Sequence, residues 1–512
     1  MPVKQKVIKV VQEIGLAMIV GLSLLYAIFR QRVSEKFIKL PLLDFPIFVG
    51  EIVLGFCFLL FALKLFLEYR SGHFRINWYG WGIVAYGIWI VTMALAGYSK
   101  IGAFAFRTSA LFYYALFAVM AFHFYRREFF NQRIVLILIL GMLAFTAQDA
   151  ITLYCQVPFF LVFLFLLFSI DDKRIRMGGL VLLMLIVFLR FSWETSVHRS
   201  HIAGILGTLV FLFIFGLRYI NKNNLFGKRL LVGFFIAAIL GMYVFLDNDV
   251  RRSFALQAIV EEYKYFNNYI QKNKHLFIFR DVPPRLYQDD DVKYNRRPLT
   301  EEERAKRNDP FPDLAMVWPG GVEERPRPQN VSRFEGEPAA DQKKSGALSW
   351  FIPKQQGRNI LQSRNQILFR IFIWRDMLED MKADPYSFIK GVGFHKPQRA
   401  HSIEILGWGR QEWGSDGWIT MHNSFLNMIY RGGVIGWALL GTIVILTVQM
   451  TKDFGRRRIL SGGLLVAGLV YWIVISNFLV YLEVPHTAIP FWGFLGVVCA
   501  FWRDCIKERP SL

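Results

Sequence analysis

Cysteine, acidic residues and long polar stretches are all scarce in this sequence. Its four cysteines, Cys57, Cys155, Cys499 and Cys505, form neither a CxxC pair nor a metal-ligand spacing, so we predict no disulfide framework and no zinc site. Asp and Glu number 39 against 60 Lys and Arg, and 54% of the 512 residues are hydrophobic. Soluble domains rarely have this composition, so the sequence points away from a soluble protein.

Apolar runs of about 20 residues recur along the whole chain, and each is long enough to cross ~30 Å of hydrocarbon as a helix. We therefore predict an all-α integral membrane protein with about twelve transmembrane helices. The first run lacks a small-residue cleavage site, so it is expected to be a retained helix rather than a signal peptide. The predicted spans are 10–29, 46–68, 77–98, 102–124, 132–153, 157–171, 176–193, 201–220, 228–247, 423–450, 459–481 and 484–502.

The basic residues lie mainly in the short segments between these spans, on one side of the predicted membrane. If the N-terminus lies inside, the short cytoplasmic segments hold about three times as many Lys and Arg residues as the short outside loops, in agreement with the positive-inside rule. The net charge of +21 is therefore mainly a topological signal, and we do not expect nucleic acid as a partner. The prediction is a multi-pass membrane protein with both termini in the cytoplasm.

This topology divides the chain into three parts. Residues 1–246 hold predicted helices one to nine, 247–421 form a large outside loop with short helices, and 422–512 hold helices ten to twelve. In a Gram-negative cell this loop lies in the periplasm. Nearly half of the 19 prolines lie in 283–338 among dense charge, which is typical of an irregular insertion. Near the end of the loop, apolar residues at spacings of three and four predict an amphipathic helix. They are Ile367, Ile371, Trp374, Leu378 and Met381.

A string of short motifs leads from this amphipathic helix into the tenth predicted span. Its order, spacing and position after a large outside loop resemble the bacterial O-antigen ligase and O-antigen polymerase family. The resemblance implies a polytopic glycosyltransferase of the GT-C type in the bacterial inner membrane. On the periplasmic face, such an enzyme takes a glycan from undecaprenyl pyrophosphate and transfers it to a glycolipid or glycan acceptor. The motifs are Arg370-x-x-x-Trp374, Pro385, Gly391-x-Gly393, His422-Asn423-x-x-Leu426 and Gly432-Gly433-x-x-Gly436.

The chemistry that this resemblance implies assigns roles to three residues. Negative charge grows on a pyrophosphate leaving group, and arginine can bind phosphate oxygens with two parallel hydrogen bonds. Arg370 is predicted to do so, and the resemblance adds Arg199, which precedes the span at 201–220. His422, at a helix N-terminus that favours the neutral imidazole, is predicted to be the general base for the acceptor hydroxyl. The sequence from 359 to 421 has no carboxylate cluster, although Glu412 and Asp416 are isolated candidates, so we expect a reaction without metal or cofactor. One-step attack opposite the lipid pyrophosphate would invert the anomeric centre.

Five further residues are predicted to bind substrate, and each has a simpler alternative. Asn423 can instead cap the helix, and Trp374 can instead pack or anchor at the membrane interface. His395, Arg399 and His401 can instead be ordinary solvated loop residues. Glu483, Pro485 and His486 lie at the outer end of the last predicted span, where they either line the same cavity or only anchor the helix.

The sequence leaves other functions open. A polysaccharide polymerase or a protein O-oligosaccharyltransferase carries the same motifs, so sequence hardly separates them from a ligase. A transporter of lipid-linked glycans is a more distant alternative, for which paired broken helices or repeat symmetry are expected, and neither is clear here. A receptor or scaffold built on the large loop is the last alternative.

Overall fold

The computed structural model describes residues 3–29, 37–39, 46–71, 78–102, 104–129, 157–158, 160–162, 164–165, 199–220, 224–245, 256–273, 360–396, 401–402 and 421–508. This part of the chain is mostly helical, and it holds seven candidate membrane spans that are long and apolar enough to cross a membrane. Six of them are single long helices, and the seventh, Ala105–Phe124, is a run of short helices. The prediction of a helical membrane protein is confirmed at this level. The described residues also include one small antiparallel sheet, β1 (Phe37–Lys39) and β2 (Pro46–Phe48).

Eighteen residues or more of mainly apolar sequence form each long helix of the N-terminal half. Three short helices take the place of one long helix between residues 104 and 124. The helices of this half are α1 (Val3–Phe29), α2 (Val49–Arg70), α3 (Trp78–Ile101), α4 (Phe104–Thr108), α5 (Ala110–Tyr113), α6 (Leu116–Phe124), α7 (Arg199–Tyr219) and α8 (Leu225–Phe245).

The remaining helices differ in polarity and in length. Two of them carry mixed sequence outside the candidate spans, and two others are shorter than ten residues. They are α9 (Leu256–Asn273), α10 (Ile360–Ala383), α11 (Ser387–Lys390), α12 (Ser424–Gly432), α13 (Val434–Arg456), α14 (Leu460–Ser476) and α15 (Pro485–Glu508).

Most predicted spans that fall on described residues correspond to one of these helices. The predicted spans at 132–153 and 176–193, and most of 157–171, lie outside the described residues, as does the predicted insertion at 283–338. Two predicted spans are interrupted. The span at 102–124 is divided into α4, α5 and α6. At the first division the hydroxyls of Thr108 and Ser109 donate to carbonyls three residues back, which competes with regular helical bonding. The span at 423–450 is divided at Gly433 into α12 and α13.

The predicted amphipathic helix is present in α10, but its buried face differs from the prediction. Leu368 and Phe372 are fully buried, whereas Leu378 is 43% exposed. The reason is that α10 packs on α9 as well as on α12, and the ring of Phe372 stacks on Tyr263 with centroids 5.2 Å apart. Because α10 contacts two neighbours, its buried residues differ from the single apolar face that the sequence predicts.

The spans pack into a bundle with two distinct ends. Helix α14 lies at its centre, since most of its residues are buried and it packs against α7, α13 and α15. At one end, Trp502 donates to Asp453 at 3.0 Å and Arg457 donates to the carbonyl of Cys505 at 3.3 Å. We call this the basic end, because it gathers Arg126, Arg127, Lys452, Arg456, Arg457, Arg458, Arg503 and Lys507.

The opposite end carries the polar segments and the motifs identified in the sequence. There the hydroxyl of Thr108 donates to the carbonyl of Phe394 at 2.8 Å, and Arg107 forms an ion pair with Glu51 at 3.1 Å. The first turn of α7 joins α14 through a hydrogen bond between His201 and Tyr471. We call this the site end.

Candidate functional site

Helix α12 is the centre of the site end. It begins where the side chain of Asn423 accepts hydrogen bonds from the N–H groups of Phe425 and Leu426, at 3.1 and 3.0 Å. The carbonyl of Asn423 accepts the first intrahelical bond, from Asn427. Because of these bonds Asn423 is the N-cap of α12, and its side chain is buried. Its predicted contact with substrate stays a prediction.

The Gly391-Val392-Gly393 segment docks on the C-terminal end of α12 through main-chain atoms. Val392 N–H donates to the carbonyl of Tyr430 at 2.7 Å, and Gly393 N–H donates to that of Arg431 at 3.1 Å. Gly391 has φ +73, and a Cβ there would lie 2.2 Å from the Arg431 carbonyl oxygen. Glycine is required at this position because both its backbone conformation and the close approach exclude a side chain.

The same arrangement explains why α12 ends at Gly433. This residue has φ +53, and a Cβ on it would lie 2.3 Å from the carbonyl oxygen of Ile389. Close contact between two main-chain segments therefore breaks the predicted span. We call residues 391–393 together with 430–433 the backbone clasp.

Side chains tie the clasp to its surroundings. The guanidinium of Arg431 is buried and donates to the carbonyls of Gly393 at 3.1 Å and Lys396 at 2.6 Å. The hydroxyl of Tyr430 donates to Asp380 on α10 at 2.6 Å, and Asp380 also pairs with Lys396. Helices α10 and α12 and residues 391–396 therefore form one connected unit.

Helix α10 lies beside His422 and holds the residue before it. The indole N–H of Trp374 donates to the carbonyl of Met421 at 2.9 Å. The ring of Phe369 lies edge to face with the imidazole of His422, with centroids 5.8 Å apart. His422 itself has φ +48, an unusual value for a residue other than glycine. The backbone at this position is therefore held in a defined geometry rather than in a relaxed coil.

The environment of His422 favours the neutral imidazole. Burial and, after it, the positive charge of Arg370 lower the pKa of His422 from 6.5 to about 4. The structure thus brings together Arg370, Trp374 and His422, the three motif residues from α10 and the start of α12. A neutral imidazole next to a fixed cation can accept a proton at neutral pH while the cation binds an anion.

A second polar group lies on another face of α12. Asn423, Asn427 and Arg431 are four residues apart and line that face, and all three are buried. Asn427 donates a side-chain hydrogen bond to Glu483, whose pKa burial raises from 4.5 to about 7, against the effects of Asn427 and of the positive charge of Arg431. Among the residues that the structure describes, Glu483 Oε1 and Asn427 Oδ1 have no hydrogen-bond partner.

The loop that carries Glu483 is fixed to the first turn of α12. The hydroxyl of Ser424 donates to the carbonyl of Leu479 at 3.1 Å, and it accepts from the N–H groups of Tyr481 and Leu482 at 2.8 and 2.9 Å. This residue follows His422 by two positions. The start of α12 is therefore held by α10 on one side and by this loop on another.

Of the other predicted site residues, two have neighbours of their own and two are not fully described. His395 contacts Lys100 at 3.1 Å, and His401 is half-buried near Asp376. Arg199 is the first residue of α7, but its side chain lies outside the described part. Arg399 also falls outside it.

Sequence reasoning missed the polar face of α12. Asn427 and Arg431 were not among the predicted residues, although polar residues at positions 423, 427 and 431 of an otherwise apolar helix are a readable signal. No sequence signal relates Asp380 to Tyr430, because they meet only through the packing of α10 on α12.

No family model matches the chain, and no curated protein or solved structure matches it either. What the site can do is therefore argued from its own residues.

Proposed function

We propose that this protein is a membrane glycosyltransferase similar to O-antigen ligases, which transfers a glycan from undecaprenyl pyrophosphate to an acceptor hydroxyl in cell-surface polysaccharide synthesis. The observation that carries the proposal is the placement of His422 beside Phe369 and under the influence of Arg370, at the site end of a membrane bundle, where burial and this charge favour the neutral imidazole. An end of a membrane bundle lies at the boundary between lipid and water, where the polar group of a lipid-linked substrate is accessible. The resemblance of the motif string supports the same function.

The proposed reaction is a single inverting displacement. His422 accepts the proton of the acceptor hydroxyl while the oxygen attacks the anomeric carbon. The anomeric C–O bond breaks, and its electron pair leaves with the lipid pyrophosphate. Arg370 binds the phosphate oxygens on which this charge develops, and Arg199 is proposed to assist it. Proton, electron pair and leaving group are thereby all accounted for.

The charge of Arg370 couples binding of the donor to the basicity of His422. Arg370 contributes to the low pKa of His422. A donor pyrophosphate bound to Arg370 would offset this positive charge, and the pKa of His422 would rise. The imidazole is therefore a stronger base when the donor is bound than when it is absent. Proton removal from the acceptor is thus coupled to the presence of the donor.

We also propose the finer topology, with about twelve spans, both termini in the cytoplasm and residues 247–421 in the periplasm. The collection of basic side chains at one end supports this orientation. Phe129 follows α6 at the basic end, and Arg199 begins α7 at the site end. An odd number of spans connects opposite ends of a bundle, so the three predicted spans between these residues agree with their positions.

The test is reconstitution of the full chain in liposomes with a lipid-pyrophosphate glycan and separate acceptors, with and without a chelator. We expect transfer to an acceptor hydroxyl, little effect of the chelator, loss of transfer in His422→Ala and strongly reduced transfer in Arg370→Lys. Arg503→Lys, at the basic end, is the matched control. Movement of the intact donor across the bilayer without transfer would contradict the proposal and indicate a transporter. Transfer only to a second lipid-linked repeat would indicate a polymerase.

A further inference from the structure

The short helix α11 exposes apolar side chains outside every candidate membrane span. Tyr386 is 73% exposed and Ile389 is 65% exposed, and Phe388 between them is also exposed. An ordinary water-facing turn seldom presents three such residues among four, because each leaves apolar surface in contact with water. This patch therefore requires a surface that covers it.

The patch continues an exposed apolar face of α13. On that helix Val434, Trp437, Val444, Ile445 and Val448 are exposed. Their positions fall on one face, because an α-helix turns by about 100° per residue. Helix α13 is one of the candidate membrane spans, so this face is the part of it that contacts lipid.

Helix α11 lies at the boundary where this lipid-facing surface begins. It packs against α12 and α13, and the carbonyl of Ile389 lies against Gly433, immediately before Val434. The about 18 helical steps from Val434 to Lys452 rise about 27 Å, which is close to the ~30 Å thickness of the hydrocarbon layer. Lys452 begins the basic stretch at the far end, so Val434 falls at the other hydrocarbon boundary.

We propose that Tyr386, Phe388 and Ile389 insert into the headgroup and acyl boundary of the leaflet on the site side, as an interfacial anchor continuous with the lipid-facing surface of α13. Aromatic residues are enriched at this depth, and lysine side chains extend from it towards water. Lys382 and Lys390 flank the patch and are exposed. The occupant of the surface is the lipid bilayer.

This anchor sets the depth of the site. The backbone clasp follows α11 directly, with Gly391 next to Lys390 and against Arg431. The C-terminal end of α12 therefore lies at the level of the lipid headgroups rather than in the aqueous space. A phosphate that belongs to a lipid is at this level without leaving the membrane.

The experiment measures depth with spin labels on the full chain in vesicles of phosphatidylethanolamine and phosphatidylglycerol. Cys155, Cys499 and Cys505 are replaced by serine, whereas Cys57 is fully buried and stays. Labels are attached to Ile389→Cys, to Ile445→Cys within α13 and to Lys382→Cys on α10. Collision with oxygen, which concentrates in the bilayer, is compared with collision with an aqueous nickel chelate.

We expect the label at 389 to lie in the membrane at intermediate depth, nearer the surface than the label at 445. The label at 382 should lie in water. Equal access of the nickel chelate to labels at 389 and 382 would overturn the proposal. Shielding of residue 389 from both reagents would also overturn it and would indicate a protein partner. If the serine variants do not fold, a photoreactive amino acid at 389 or 382 in the native chain replaces the labels. Lipid adducts are then expected at 389 and not at 382, and equal yields at both positions would contradict the anchor.

Discussion

The pH dependence of transfer tests the role of His422 most directly. A general base must be unprotonated, so activity falls as the pH drops through its pKa. With a pKa of about 4, His422 is ~90% unprotonated at pH 5, whereas a histidine with the ordinary pKa of 6.5 is only ~3% unprotonated there. The two cases therefore differ by about thirtyfold in the active fraction at pH 5.

The assay is kcat/KM for the lipid-linked donor, which reports the enzyme form before the donor binds. We expect it to stay level from pH 7 to about 5 and to fall by half near 4. The acid limb of kcat reports the complex, and it should lie at higher pH because the bound pyrophosphate offsets the charge of Arg370.

Substitution of Arg370 by Gln provides the internal comparison. It removes the second cause of the lowered pKa but leaves burial, the larger cause, in place. The acid limb of kcat/KM should move upward but stay below 6.5, even if the rate itself is low. NMR titration of ring-labelled His422 measures the same shift without turnover. A wild-type acid limb at 6.5 that Arg370→Gln leaves unchanged would refute the reasoning.

Two further predictions concern the polar face of α12. Burial raises the pKa of Glu483 to about 7, so this carboxyl contributes stability that is complete below its ordinary pKa of 4.5 and is lost as the pH rises through 7, by as much as ~3 kcal/mol. Glu483→Gln should therefore raise Tm relative to wild type at pH 8 and have little effect at pH 4.5, and a larger gain at pH 4.5 would contradict this sign. Asn423→Ala removes the cap of α12 and should cost ~1 kcal/mol of stability, whereas Asn423→Asp keeps the cap and should retain most of it. If Asn423→Asp is as unstable as Asn423→Ala in thermal unfolding, the capping role is wrong.

The positions of the spans could be predicted from sequence because length and hydrophobicity are local properties. Val49–Arg70 and His201–Tyr219 lie within a few residues of the predicted spans for this reason. The break at Gly433 could not be predicted, because it depends on the carbonyl of Ile389, more than forty residues earlier in the chain. A glycine pair in an apolar run is equally compatible with a continuous helix.

The site was partly predictable for a similar reason. Motif order indicated that Arg370 and His422 act together, and the structure places Arg370 close enough to lower the pKa of the imidazole. Trp374 was expected to pack or to bind sugar, yet its indole donates to the carbonyl of Met421. The group formed by Asn427, Arg431 and Glu483 depends on a contact between α12 and the loop before α15. Such contacts between distant segments are not encoded in local spacing.

Helix α10 has a consequence for how this chain tolerates change in length. It holds both ends of the segment between Ser402 and Met421, because the N–H group of the buried Ser402 donates to Asp376 at 2.6 Å and Trp374 donates to the carbonyl of Met421. The entropy of closing such a loop grows only slowly with the number of residues in it. Insertions between these two fixed points should therefore leave His422 in place. The segment is thus a suitable position for an affinity tag or for a grafted recognition sequence.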